Sequence, residues 1–290
     1  MSKTTLSPII AGTMNWGVWD KNLTPKEMEN IIHVCLENKI TTFDHADIYG
    51  SYTTEADFGK AFSSSKVARE KIQLISKCGI QMLAENRNNT IKHYDYSKSH
   101  IIASVEQSLK NLQTDYLDAF LLHRPSPLMQ VDEIAEAVEK LKTDGKIIDF
   151  GLSNFTSSQT ELIRQKIEVS YNQVQFSATN FEPMIDGSFD YMQIHNIRPM
   201  SWNPLGFVFR EDIPQTHRLK KLLGILVSKY SLGADTILLA WILKHPAKVI
   251  PIAGTVNVAR IQSLMKAVEL DLEKEDWFAI WAESRGEDVP

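Results

Sequence analysis

Four side chains able to hold or move a proton follow short apolar runs in the first half of this 290-residue sequence. Asp44 and Tyr49 come after Ile40-Thr41-Thr42-Phe43, in the stretch Asp44-His45-Ala46-Asp47-Ile48-Tyr49-Gly50; Lys77 follows Leu74-Ile75-Ser76, and His123 follows Phe120-Leu121-Leu122. A phenol titrates near pH 10, so Tyr49 serves as a proton donor at neutral pH only if a neighbouring cation stabilises its phenolate and lowers that value. Lys77 can supply that charge. Asp44 would keep the ammonium charged and in place, while His123 would hydrogen-bond a substrate oxygen and orient a carbonyl. None of the four is a covalent nucleophile or a redox centre, so a reduction needs a borrowed hydride, and the implied cofactor is a nicotinamide.

These groups need a scaffold that brings separate strand ends together. Short apolar runs at 8–11, 40–44, 72–76, 117–122, 147–151, 171–175, 198–202 and 249–251 read as eight strands. Amphipathic stretches lie between them: Met28, Ile31, Ile32, Cys35 and Leu36 share a helical face, as do Ile101, Ile102, Val105, Leu109 and Leu112, and then Val131, Ile134, Ala135, Val138 and Leu141 before the stop at Asp144-Gly145. Later helices are expected at 219–230, 236–244 and 258–268. The alternation predicts a (β/α)8 TIM barrel in one domain over 1–290, with an extra helix or two near the end; a doubly wound sheet is the competing architecture. No G-x-G-x-x-G follows the first strand, which favours the barrel.

Composition narrows the function classes. With 43% hydrophobic and 23% charged residues and a net charge of −5, the chain is expected to be a globular protein with a small-molecule partner and no nucleic acid. Only Cys35 and Cys78 are present, without a metal-ligand spacing, so no metal site is expected and a reducing, cytoplasmic compartment fits. No signal-peptide core or membrane-span run is seen, and no apolar stripe compels association, so no membrane contact and a monomer are expected.

The order of these blocks resembles the aldo-keto reductases. The segment from Phe43 to Gly50 is similar to that family's Asp-to-Tyr segment with its separation of five; Ile75-Ser76-Lys77-Cys78-Gly79 resembles its lysine strand and Leu121-Leu122-His123-Arg124-Pro125 its histidine strand. Gly151-Leu152-Ser153-Asn154-Phe155, Asn172-Gln173-Val174-Gln175, Trp202-Asn203-Pro204-Leu205-Gly206 and the run from Gly254 to Arg260 extend the match, and the ending is similar to a bacterial subgroup of largely uncharacterised members. The resemblance implies reduction of aldehyde or ketone carbonyls by NADPH. Tyr49 would be the general acid, Lys77 and Asp44 its tuning pair, and His123 the carbonyl-orienting residue. Gly12, Thr13 and Met14 would touch the cofactor at the first strand end. Ser153, Asn154 and Gln175 would hold the nicotinamide carboxamide, Trp202 would stack on the ring, and Asn203, Pro204, Leu205 and Gly206 would pass along the pyrophosphate. Gly254, Thr255, Asn257 and Arg260 would surround the 2′-phosphate. Many members carry Lys where this chain has Gly254, which weakens the NADPH preference and leaves NADH as a lesser cofactor.

Taken singly, each residue has an ordinary reading: Tyr49 as a packed aromatic, Lys77 as a solvated stem, His45 as a structural hydrogen-bonder, Asp47 as a turn cap. Trp16 and Trp19 read almost equally as pocket lining or packing. Cys78, beside Lys77, is open to a lowered pKa, with inert burial preferred. The joint occurrence favours the enzyme. Two other classes remain: a metal-assisted barrel hydrolase using Asp44, His45, Asp47 and His123, and a non-catalytic nicotinamide-binding protein.

Overall fold

A computed structural model describes residues 4–290. Its strands are β1 (Ile10–Gly12), β2 (Thr42–Asp44), β3 (Gln73–Cys78), β4 (Ile80–Gln81), β5 (His93–Tyr94), β6 (Leu117–Leu122), β7 (Ile147–Ser153), β8 (Tyr171–Gln175), β9 (Arg198–Trp202) and β10 (Ile250–Ala253). Eight of them close a parallel barrel in the order β1-β10-β9-β8-β7-β6-β3-β2, and β4 and β5 form a separate antiparallel pair. The doubly wound alternative is thereby set aside. All eight expected strands occur, three of them (117–122, 171–175 and 198–202) with the expected ends and five with shifted ends. β3 runs on through Lys77 and β7 through Ser153, so those two residues belong to the strands that position them.

The period-two alternation of a strand separates two kinds of core. Ile10, Ile75, Ala119, Leu121, Tyr171, Met200, Ile250 and Ile252 form a buried cluster in the barrel interior. Phe43, Leu74, Phe120, Leu122, Phe150 and Leu152 point the other way, into the larger cluster shared with the helices. Lys77 has the parity of Ile75, and His123 that of Leu121. Both therefore face inward at the carboxyl mouth.

Local chemistry fixes the helices that cover the barrel. Pro25–Glu37 opens on a capping box, in which Thr24 accepts from the Glu27 N–H and the Glu27 carboxylate accepts from the Thr24 N–H, with Pro25 in the first turn. Its buried face is Met28, Ile31, Ile32, Val34 and Cys35. Lys98–Leu112 and Val131–Thr143 bury the expected stripes except for Ile102 and Val131, which are partly buried. Ala234–Leu243 is apolar on most sides because it packs between β10 and the helices Pro214–Tyr230, Val258–Leu264 and Lys266–Glu269. Trp241 and Trp277 stack at 5.2 Å, and each indole N–H donates to the other residue's carbonyl. Among the described residues no single helix is long and apolar enough to cross a membrane.

Candidate active site

Lys77 is fully buried at the end of β3, and its ammonium has three oxygen neighbours. It donates to Asp44 Oδ2 at 2.8 Å, to the carbonyl of His45 at 2.7 Å and to the Tyr49 hydroxyl at 3.3 Å. Asp44 ends β2, and its other oxygen, Oδ1, accepts from Gln173 Nε2 of β8 at 3.0 Å. A buried ion pair is stable only when its remaining lone pairs are satisfied, which is what this arrangement provides. The ring of His123 stands edge-on to that of Tyr49, with centroids 6.0 Å apart. Asp44, Tyr49, Lys77 and His123 thus meet at one mouth.

The turn that presents Tyr49 is unusual. Gly50, Ser51 and Tyr52 all adopt left-handed φ, at +57°, +55° and +72°. A Cβ at Gly50 would stand 2.4 Å from Thr54 Oγ1, so only glycine fits there. The segment is clipped from the other side: the Tyr52 hydroxyl accepts from the Met82 N–H at 2.9 Å, and Asn86 donates to the Ser51 carbonyl at 3.2 Å. The long connection after Lys77 therefore braces the Tyr49 turn.

Electrostatics depart from expectation at Tyr49. Burial pushes the phenol above its ordinary value, Lys77 draws it down, Asp44 pushes it up, and burial prevails. The expected lowering is corrected: the charge is present, but the desolvation it must overcome is greater. Burial works against the Lys77 ammonium too, yet Asp44 and Tyr49 outweigh it and raise its affinity for the proton. His123 is held neutral, well below the usual imidazole range, by burial and then by Lys77, Arg124 and Lys92. Its Nδ1 is buried without a partner.

The neighbouring residues sort by what their polar atoms already touch. Thr13 donates to the Asp44 carbonyl at 2.9 Å and meets His45 Nδ1 at 2.9 Å, so its hydroxyl ties β1 to β2. Burial and then Lys77 bring His45 down to about 3, and the ring packs on Phe58. Gly12 lies in β1 and Met14 is exposed beyond it. Trp16 is wholly buried against Phe43 and Phe58, whereas Trp19 stands at the mouth, edge-on to Tyr49 at 6.1 Å. Asp47 has its Oδ1 buried without a partner, and burial together with Glu55 raises its carboxyl well above the usual range. Burial also pushes Cys78 well up and Cys35 to about 12, so neither thiol is activated.

A second group lines the opposite half of the mouth. Ser153 is buried at the end of β7; Asn154, at φ +60°, donates to Ser153 Oγ at 2.8 Å and accepts from the Trp202 indole at 2.9 Å. Gln175 lies level with Trp202, and Gln173 is level with Ser153. Asn203, at φ +53°, is held by Arg210, which also donates to the carbonyl of Gly206. Pro204 is buried and Leu205 half-buried between them. Gly206 has φ +56°, and a Cβ there would stand 1.9 Å from Thr179 Oγ1. Asn257 caps the helix Val258–Leu264 by accepting from the Arg260 N–H, and its own N–H donates to Thr255 Oγ1. Gly254 is exposed, with only Asn15 Nδ2 near the place of a Cβ, at 3.5 Å. The Arg260 guanidinium is exposed and has no acidic partner among the described residues.

Two residues given no role from the sequence enter here. Gln173 supports Asp44 directly, and strand register was the signal that could have found it, because it pairs with Ser153. Arg124 follows His123, and its guanidinium lies 5.4 Å from the Trp202 ring centroid. No group of three or more His, Cys, Asp or Glu among the described residues could hold a metal ion.

Comparison with known proteins adds relatives to this geometry. The model of the Aldo/keto reductase family matches residues 8–283. The uncharacterized oxidoreductase YcsN of Bacillus subtilis is 40% identical, spanning 98% of this chain and 96% of its own length. The 6-dehydroglucose reductase of Agrobacterium fabrum is 33% identical over 99% of this chain and 97% of its own. Among solved structures, the Bombyx mori aldo-keto reductase in complex with NADP shares the fold at a TM-score of 0.78 and 22% identity, over 97% of this chain and 90% of that one.

Proposed function

This chain belongs to the aldo/keto reductase family, and we propose that it is an NADPH-dependent oxidoreductase that reduces aldehyde or ketone carbonyls to alcohols, with Tyr49 as general acid. The observation that carries this reading is the Lys77 ammonium, donating at once to the Asp44 carboxylate and the Tyr49 hydroxyl. The name of the Agrobacterium relative, a reductase, agrees with it.

The donor set suits a dinucleotide. Gly254 leaves open space after β10 in the segment that leads to the unpaired Arg260, while Asn203 and Gly206, both at left-handed φ, shape the turn that follows β9. Ser153, Asn154 and Gln175 would hold the carboxamide and Trp202 would cover the ring face. Gly12 and Met14 line the first strand end. Asn203, Pro204, Leu205 and Gly206 would follow the pyrophosphate, and Gly254, Thr255 and Arg260 the 2′-phosphate. Thr13 and Asn257, whose side chains are engaged within the protein, act by shaping the backbone there. With Gly254 contributing no cation, NADPH is preferred over NADH chiefly through Arg260.

A bound nicotinamide supplies the hydride. The protein does the rest: neutral His123 turns an N–H toward the carbonyl oxygen, and the Tyr49 hydroxyl gives that oxygen its proton as negative charge develops. The phenol's raised pKa keeps the proton in place before reaction. Lys77 stabilises the phenolate left behind, and Asp44, itself held by Gln173, keeps the ammonium aimed at Tyr49. Solvent restores the proton.

Fluorescence titration of the tryptophans with NADPH and NADH, followed by an aldehyde panel read by consumption of reduced nicotinamide, tests the reading. Saturable NADPH binding with turnover is expected; cofactor binding without turnover of any carbonyl would favour the non-catalytic alternative. The hydrolase reading loses Asp44 as a free ligand, since its two carboxylate oxygens are engaged with Lys77 and Gln173, and no metal-holding group of His, Cys, Asp or Glu stands among the described residues.

A further inference from the structure

Arg124 combines a fixed backbone with an unpaired head. The buried Tyr96 hydroxyl donates to the Arg124 carbonyl at 2.5 Å and accepts from the Arg124 N–H at 3.1 Å, so one side chain clamps both polar atoms of this residue. Room for that tyrosine is made at Gly79, at φ +111°, where a Cβ would lie 2.0 Å from Tyr96 Cε1. The clamp has a cost in backbone freedom. Its product is an arginine held at the mouth, next to His123.

The guanidinium has no acidic partner among the described residues, in contrast to Arg69, which pairs with Asp118, and Arg164, which pairs with Glu161. It lies against the Trp202 ring, a contact that leaves its N–H groups available for hydrogen bonding. Lys92 adds a second positive charge: the charges that act most strongly on His123 are Lys77, Arg124 and Lys92. A chain whose net charge is −5 thus carries a positive spot where the carbonyl would sit.

We propose that the carbonyl substrate also bears a carboxylate, an oxo acid or an aldehyde acid, and that Arg124 receives that carboxylate through the two parallel N–H groups of its guanidinium. This rests on the reductase reading above. A bidentate arginine–carboxylate pair is planar and directional, so it orients the substrate as well as attracting it. The source of the anion is assigned to the substrate because Arg124 directly follows His123 just beyond the end of β6, whereas the segments assigned to the cofactor's phosphates follow β9 and β10.

The test uses the full chain with NADPH and a matched pair, 4-carboxybenzaldehyde and its methyl ester, which differ in one charge. Wild type is expected to prefer the acid in kcat/KM by about tenfold or more, the size of one charge-assisted hydrogen bond. The preference should shrink as ionic strength rises. Arg124→Met should lower the acid-to-ester ratio by about tenfold, and Arg124→Lys should restore part of it. A wild-type ratio near one, a ratio that survives in Arg124→Met, or an Arg124→Met effect confined to the NADPH dissociation constant overturns the proposal. Turnover of neither aldehyde by a wild type that binds NADPH removes the reductase reading itself, an outcome distinct from reduction of the ester without preference for the acid.

Discussion

The Lys77 ammonium lies 3.3 Å from the Tyr49 hydroxyl, yet the phenol holds its proton more tightly than a phenol in water. Proximity alone would suggest the opposite. Removing the phenolate from solvent outweighs the attraction of one cation whose charge is already shared with Asp44 at 2.8 Å. The phenol therefore gives its proton only to a base stronger than its own phenolate, as an alkoxide developing on a substrate would be, and no lowering of its pKa is needed for that transfer.

The sign of that shift is testable by pH. A raised pKa means that the folded protein keeps the Tyr49 proton throughout the neutral range and up to the ordinary phenol value near 10. Near-ultraviolet titration of wild type against Tyr49→Phe should therefore show no phenolate from this residue below about pH 10. A difference band rising between pH 7 and 9 would mean that Lys77 prevails over burial.

Gln173 tests how the ammonium is aimed. Replacing it by leucine removes the amide that donates to Asp44 Oδ1 at 3.0 Å and frees the carboxylate to rotate. A lost hydrogen bond to a charged group is worth about 1.5–3 kcal/mol. In Gln173→Leu, kcat should fall by about tenfold or more while NADPH still binds. An unchanged kcat would show that Lys77 alone fixes Asp44.

Gly79→Ala tests the brace under the mouth. The new methyl would overlap Tyr96 and occupy a left-handed conformation, so the folded state should lose about 3 kcal/mol. Urea unfolding measures this. Wild-type stability in the variant would show that Tyr96 moves aside without penalty.

Cofactor choice is expected to rest on one cation. Arg260→Ala should raise the NADPH dissociation constant at least severalfold and leave that for NADH nearly unchanged, because only the former carries the 2′-phosphate. Equal weakening of both, measured by tryptophan fluorescence, would place Arg260 elsewhere on the cofactor.

The architecture was largely legible because its signals are local. Residues 117–122 and 198–202 read as strands and are strands; the stripe from Ile101 to Leu112 read as a helix face and is one. What escaped depends on depth and register. Gln173 and Gln175 have the same parity on β8, and only the pairing of β8 with β7 distinguishes them. The Tyr49 shift turns on burial by segments distant in sequence, which no spacing encodes. Thr13 read as a cofactor contact because its strand end was recognised, whereas its hydroxyl is taken up by Asp44 and His45. The β4–β5 pair joins residues on either side of a long polar segment with no tight-turn dipeptide to announce it.

Tyr49→Phe tests the central claim most directly, since it removes one oxygen and leaves the ring packed between Trp19 and His123. The account predicts a cofactor dissociation constant close to that of wild type and a kcat lower by about 10²-fold or more, the usual contribution of a positioned proton donor. A variant that reduces aldehydes as fast as wild type would contradict it.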